Sequence, residues 1–227
     1  STLQQEIGSF DLLVEEIAAA TNGTCATAKP LTFSGGKIAE FGNTGGADNE
    51  FSDIKCATGS KSGSSGPQLY YTVPLSEGKS YKITVTSDFS SFFYVFSSAA
   101  ACQPTLIESD CASKTIGVWG ESPETMASGS IVFSPTTTGT YYIAIDSDAA
   151  QESGDFKLEI SEYTAPTNQL CGSAVPLNLT SGKASVSGYT GGSKDEFPTL
   201  TCGGKYKLDA PQLYYKVALL AGKTYRI

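Results

Sequence analysis

The stretch "PQLYYTVPLSEGKSYKI" occupies positions 67–83, and "PQLYYKVALLAGKTYRI" occupies positions 211–227 of the 227-residue chain. Each reads as two strands joined at a Gly-Lys turn. In the first, Leu69, Tyr71, Val73 and Leu75 fall on one face, and Tyr81, Ile83 and Val85 fall on one face of the strand that follows. Such a two-residue period belongs to strands with one buried side. A match this close cannot come from shared composition and marks two copies of one folded unit.

Working outward, "TNGTCATAKPLTFSGGKIAEFGNTGGADNEFSDIKC" (21–56) is answered by "TNQLCGSAVPLNLTSGKASVSGYTGGSKDEFPTLTC" (167–202). The offset is 146 up to the second cysteine and 144 from Pro67 and Pro211 onward. The two-residue change falls in the Gly/Ser stretch "TGSKSGSSG" (58–66), as a surface loop permits. A period of about 145 residues is domain-sized, so the pattern is a tandem array and not a short-repeat solenoid.

Within the first copy, "SFFYVFS" (91–97) is apolar on both faces and reads as a central strand. Further strands are expected at 116–119, 130–134, 140–146 and 155–162, where Phe156, Leu158 and Ile160 alternate again. With short strands before Cys56 the total is eight or nine, and no helix-period segment interrupts them. This predicts an all-β, antiparallel, jelly-roll-like sandwich. The first twenty residues differ: Leu3, Ile7, Phe10, Val14 and Ile17 recur at helical spacing. They predict a short amphipathic helix, with a segment donated to a sheet edge as the alternative. The expected organisation is therefore an N-terminal segment (1–20), a first sandwich (21–163), and a linker with the first part of a second sandwich (164–227).

Apolar residues make up 40% and charged residues 17%, which suits a packed globular chain. The net charge of −8 repels nucleic acid and anionic membranes. No run of about 18 apolar residues is present to cross a bilayer. Histidine is absent, so Ser-His-Asp and Cys-His catalysis are excluded, and neither a Walker A nor a Rossmann glycine pattern occurs. Asp and Glu cluster in turns and not on strands that would line a cleft. The expectation is a non-enzyme.

The six cysteines are Cys25, Cys56, Cys102, Cys111, Cys171 and Cys202. Cys171 follows Cys25, and Cys202 follows Cys56, by the same 146 positions. That equality predicts Cys25–Cys56 and Cys171–Cys202 bonds, leaving Cys102 to pair with Cys111. Full pairing implies an oxidising compartment.

The order Asn-Cys-Pro-Leu, a "LYY-x-V" strand before a Gly-Lys turn, Gly139-Thr140-Tyr141-Tyr142 and Gly154-Asp155-Phe156 resembles the bacterial pre-peptidase C-terminal domain class. The resemblance spans about 21–163 in full and 167–227 in part. It implies a sandwich appended to secreted or cell-surface proteins, non-catalytic, and in some members associated with calcium. The function expected is a repeat module of a secreted or cell-surface protein acting in adhesion or extracellular assembly. The alternatives are a carbohydrate- or matrix-binding accessory domain of a secreted hydrolase, and a structural subunit of an extracellular filament. Expected partners are other copies of itself, other surface or matrix proteins, or carbohydrate.

Calcium is the candidate ion, with Asp48, Asn49, Glu50 and Asp53 in one acidic turn and Asp146, Asp148, Glu152 and Asp155 in another. Such oxygens suit its coordination, although neither loop matches an EF-hand. Asp195 and Glu196 are what the second copy keeps of the first turn. Phe92, Phe93, Tyr94, Phe96 and Trp119 are core candidates, or else a sugar-stacking face. Asn22 and Asn178 begin Asn-x-Thr sequons, meaningful in a eukaryotic secretory pathway. Because the second copy stops at its "GKTYRI" strand, residues 167–227 are expected to need a covering layer. It would come from further chain or from a neighbouring subunit's N-terminal stretch, since half a sandwich exposes its core.

Overall fold

A computed structural model describes residues 19–56, 65–116, 126–147, 152–197, 201–202, 206–207 and 210–227. Nine strands build the sandwich: β1 (Lys29–Pro30), β2 (Lys37–Asn43), β3 (Leu69–Leu75), β4 (Ser80–Ser87), β5 (Ser91–Ser97), β6 (Ala112–Ile116), β7 (Ala127–Phe133), β8 (Gly139–Ser147) and β9 (Asp155–Tyr163). One sheet runs in the order β1-β3-β8-β5-β6 and the other β2-β9-β4-β7. All pairings are antiparallel except β1 with β3. The all-β sandwich read from the alternation is therefore the fold.

The main core lies between the sheets. Tyr71, Val73 and Leu75 of β3 meet Tyr81, Ile83 and Val85 of β4 and Phe156, Leu158 and Ile160 of β9 there, all buried. β4 alternates because its other face carries Lys82, Thr84 and Thr86. β5 does not alternate, since six of its seven residues are buried on one side or the other. The reason is a third layer. Tyr70, Phe92, Tyr94 and Phe96 turn away from the main core and meet Ile54, Ala100, Ile107 and the cysteines of a cap. A sheet face covered on both sides loses the two-residue period.

The cap contains the helix α1 (Pro104–Asp110), inside the segment read as free of helix. Seven residues are too few to display a period, but Pro104 at its start has the fixed φ that suits a first helical turn. Ile107 is buried beneath it, and the Cys111 amide closes it on the Ile107 carbonyl at 2.9 Å. Its carboxylates bind neighbouring backbone: Glu108 accepts from the Lys55 amide at 3.0 Å, and Asp110 from Ser97 at 2.6 Å. The strand expected at 116–119 instead spans 112–116, and 117–125 lie outside the described residues.

The bonds stitching this cap overturn the expected pairing. Cys25 is joined to Cys102 and Cys56 to Cys111. Cys102 and Cys111 bracket α1, whose seven residues hold its ends about 10 Å apart, beyond the roughly 7 Å Cα reach of a disulfide. Cys171, at the position of Cys25, is exposed and unbonded, so the expected Cys171–Cys202 bond is not formed.

The remaining strands are β10 (Val175–Leu177), β11 (Thr201–Cys202), β12 (Tyr206–Lys207) and β13 (Tyr215–Val217). β10 lies parallel to β13 with Val175 opposite Tyr215, as β1 lies parallel to β3 with Lys29 opposite Tyr71. The first eighteen residues, on which the helix or donated segment was expected, lie outside the described residues.

Candidate functional site

Polar side chains buried under the cap form one connected frame. Gln68, fully buried, donates from Nε2 to Asn49 Oδ1 at 3.1 Å and to the Phe51 carbonyl at 2.5 Å. Its Oε1 accepts from the Phe51 amide at 3.1 Å and from the Tyr70 hydroxyl at 2.6 Å. The Tyr70 and Tyr94 hydroxyls lie 3.4 Å apart, with buried Asp146 on neighbouring β8. Burial pushes both phenols upward, and the nearby carboxylates of Glu50 and Asp146 add to the shift. Phenols held neutral this strongly cannot serve as bases or nucleophiles near neutral pH. Their chemistry is to fix the acidic turn onto the sheet.

Two side chains of that turn, Asn49 and Glu50, are taken up by the same task. Asp48 offers its carbonyl to the Gln68 amide at 3.1 Å. Asn49 donates to the Ser65 carbonyl at 2.8 Å, and Glu50 accepts from the Cys25 amide at 2.7 Å. Asp53 is exposed, at φ 61°. Asp155, at the start of β9, accepts from Asn43 at 2.6 Å. Asp195 accepts from Gln212 at 3.0 Å, and Glu196 from the Cys171 amide at 2.7 Å. Asp148 lies outside the described residues. Among the described residues no three acidic, Cys or His side chains converge as a metal site would need.

The sugar-stacking alternative fails for four of its five rings. Phe92, Phe93, Tyr94 and Phe96 are all 0% exposed, divided between the two cores. Phe96 stacks on Tyr142 at 5.1 Å between centroids. Trp119 lies outside the described residues. Asn22 spends its amide nitrogen on the Tyr70 carbonyl at 2.9 Å, inside the structure, whereas Asn178 is exposed.

Sequence reasoning missed Gln68, Asn22 and their counterparts as frame residues. The signal was present: "TN" and "PQLYY" stand in both copies. Asn168 donates to the Tyr214 carbonyl at 2.9 Å, and the Tyr214 hydroxyl to Gln212 at 2.7 Å. The Glu196 bond repeats that of Glu50 at the same 2.7 Å. Tyr225 accepts from the Leu220 amide at 3.1 Å, as Tyr81 does from Ser76.

No family model matches the chain, and no curated protein matches it. Similar solved structures include the pre-peptidase C-terminal domain of a collagenase from Bacillus anthracis, 11% identical, covering 65% of this chain and 100% of that one at a TM-score of 0.33. CorA, a surface-associated copper-binding protein of Methylomicrobium album, is 11% identical, with 60% and 98% covered at 0.33. The cleaved adhesin domain of Lys-gingipain from Porphyromonas gingivalis is 11% identical, with 57% and 89% covered at 0.28. At these values the likenesses carry no argument, and the fold rests on the strands themselves.

Proposed function

We propose that the chain is a non-catalytic repeat module of a secreted or cell-surface protein, acting in adhesion or extracellular assembly. It is read as two tandem copies of a sandwich resembling the pre-peptidase C-terminal class, divided near Tyr163 and Thr164. The observation that carries the tandem reading is the duplicated frame: four side-chain bonds and one parallel strand pairing recur at equivalent positions. Two disulfides support an oxidising, extracellular setting. The absence of histidine from the sequence and the neutral, buried tyrosines support a role without catalysis.

The test is adhesion under flow of beads coated with the intact chain to a panel of matrix proteins and polysaccharides. Beads coated with reduced and alkylated chain are the control, and generic peptide, ester and glycoside substrates are assayed in parallel. The reading expects adhesion by the intact chain alone and no turnover. Turnover, or equal adhesion by both coatings, would sink it.

A further inference from the structure

On the outer face of the β2-β9-β4-β7 sheet, β4 and β7 meet largely through hydroxyls. Thr84 meets Ser130 at 2.8 Å, Thr86 meets Ser128 at 3.2 Å, and Ser80 meets Ser134 at 2.8 Å. Between the Ser80 and Thr84 pairs stand Lys82 and Val132, with Tyr163 beside Ser80 on β9. The second copy touches the sandwich there, through the turn "YTGG" at 189–192. The Tyr163 and Tyr189 rings cross edge to face at 6.2 Å and 88°. The Lys82 ammonium sits 4.3 Å from the centre of the Tyr189 ring, within the range of a cation–π contact. Gly192, at φ +75°, lies so close that an added Cβ would stand 2.9 Å from Val132 and 3.0 Å from Tyr163. The Tyr163 hydroxyl and the Ser193 hydroxyl are both buried. Desolvation raises the Tyr163 phenol, and Tyr189 adds to that shift.

The first copy supplies the control. Its turn has the same closure, Ala47 donating to Thr44 at 3.2 Å where Ser193 donates to Thr190 at 3.0 Å. Gly46 and Gly192 share a positive φ, 79° and 75°. At the position of Tyr189, however, stands Asn43, which caps its own turn by accepting from the Gly45 amide at 2.7 Å. A tyrosine is therefore not required to make this turn. Half-buried against Lys82 and Tyr163, it serves the neighbouring copy and not its own. The cationic position of the receiving side stands in both copies. Arg226 stands where Lys82 does, one residue after Tyr225, whose hydroxyl bond repeats that of Tyr81.

We propose that the tyrosine-bearing turn of one copy docks on the outer sheet face of the copy before it, making a fixed head-to-tail joint whose cationic receptor recurs in each copy. The occupant is a neighbouring copy of the repeat. The proposal rests on the tandem reading but not on adhesion, so the bead assay and the test below fail separately.

The test uses the whole 227-residue chain. Nuclear magnetic resonance should find proton contacts from the Tyr189 ring to Lys82 and Val132, with the Lys82 side-chain protons shifted upfield by the ring above which they lie. Y189N installs the residue that the first copy uses, so the turn itself is kept. It should abolish those contacts and the upfield shift, and raise the radius of gyration in solution scattering, while sandwich resonances remote from the joint stay in place. V132D should release the joint in the same way from the other side. Ordinary Lys82 shifts in the wild type, or scattering unchanged by both substitutions, would overturn the proposal.

Discussion

The sandwich and the segment after it carry the same phrase and the same hydrogen bonds, yet they bury it differently. Val73 is 0% exposed and its counterpart Val217 is 37% exposed; Leu75 is 1% and Leu219 49% exposed. The local frame needs only residues within the repeat's first half: Asn to the Tyr carbonyl, Glu to the Cys amide, Tyr to Gln. Burial needs an opposing layer, and in the sandwich that layer comes from β4, β7 and β9, and the cap from Ile54 and its neighbours together with residues after β5. Over Val217 and Leu219 the described residues place no such layer. Local hydrogen bonding is thus set by near neighbours, and hydrophobic stabilisation by parts of the chain far away.

The largest break in this symmetry should come from the cysteines. Cys25 and Cys102 close a span of 77 residues, which the chain-entropy account values at about 4 kcal/mol. The double substitution C25S/C102S should lower unfolding stability by about that amount. C171S, at the equivalent exposed position, should change it by less than about 0.5 kcal/mol. Urea unfolding of the three chains checks the contrast. Non-reducing peptide mapping that joined Cys25 to Cys56 would defeat it.

Matched truncations come next. Leu75→Ala removes a side chain buried between the sheets and should cost about 3 kcal/mol. Leu219→Ala, at the same position in the repeat, should fall within about 0.5 kcal/mol. Thermal unfolding of both variants decides; equal losses would mean that Leu219 is covered in solution.

These contrasts also explain how much was legible. β3, β4 and β9 could be read because one face of each meets the core, so Leu69, Tyr71 and Val73 announce themselves by period. β5 could be read as central because it lacks a period, but the second core it faces could not. Ile54, Ala100 and Ile107 come from separate short segments (a loop, a helical turn and α1) with no shared pattern. The disulfides misled for a physical reason. A cysteine that recurs at a fixed offset marks a recurring position, and such a position bonds just as well to a later cysteine as to the next one in the motif. Asn49 and Glu50 look like metal ligands by residue type. Only the fold reveals that Gln68 and the Cys25 amide have already engaged them. The joint was hidden until Asn43 and Tyr189 could be set against each other in one geometry.

Alkali should act on the sandwich first. Burial holds the Tyr71 phenol at about 12, and Tyr70 and Tyr94 are also raised by burial. A tyrosine whose native value lies above the ordinary one of about 10 supports the fold fully below that value and less as pH rises through it. At pH 10.5 each such ring should cost about 0.8 kcal/mol, or roughly 2 kcal/mol for the three together. Stability measured from pH 8 to 10.5, beside tyrosinate absorbance, checks this. Early ionisation of three rings without loss of stability would show that the capped face is open to water.

The smallest effect sharpens the comparison most, because it touches a bond that both regions share. Asn22 and Asn168 each donate to a tyrosine carbonyl at 2.9 Å. Asn22 is 9% exposed, and its acceptor Tyr70 is fully buried. Asn22→Ala leaves that carbonyl without its side-chain donor in a place where water does not easily replace it, and should cost about 1 kcal/mol. Asn168 is itself buried, but its acceptor Tyr214 is only half-buried. Water can reach that carbonyl, so Asn168→Ala should cost a few tenths of a kcal/mol. Hydrogen exchange separates the two more finely than melting does. The Tyr70 amide, which donates to the Asn22 carbonyl at 2.9 Å, should lose protection in the first variant. The Tyr214 amide, bonded to Asn168 at 2.8 Å, should exchange readily even in the wild type. Equal protection of the two amides in the wild type would mean that the shared frame, and not the layer above it, sets local stability, and the contrast between the two regions would fail.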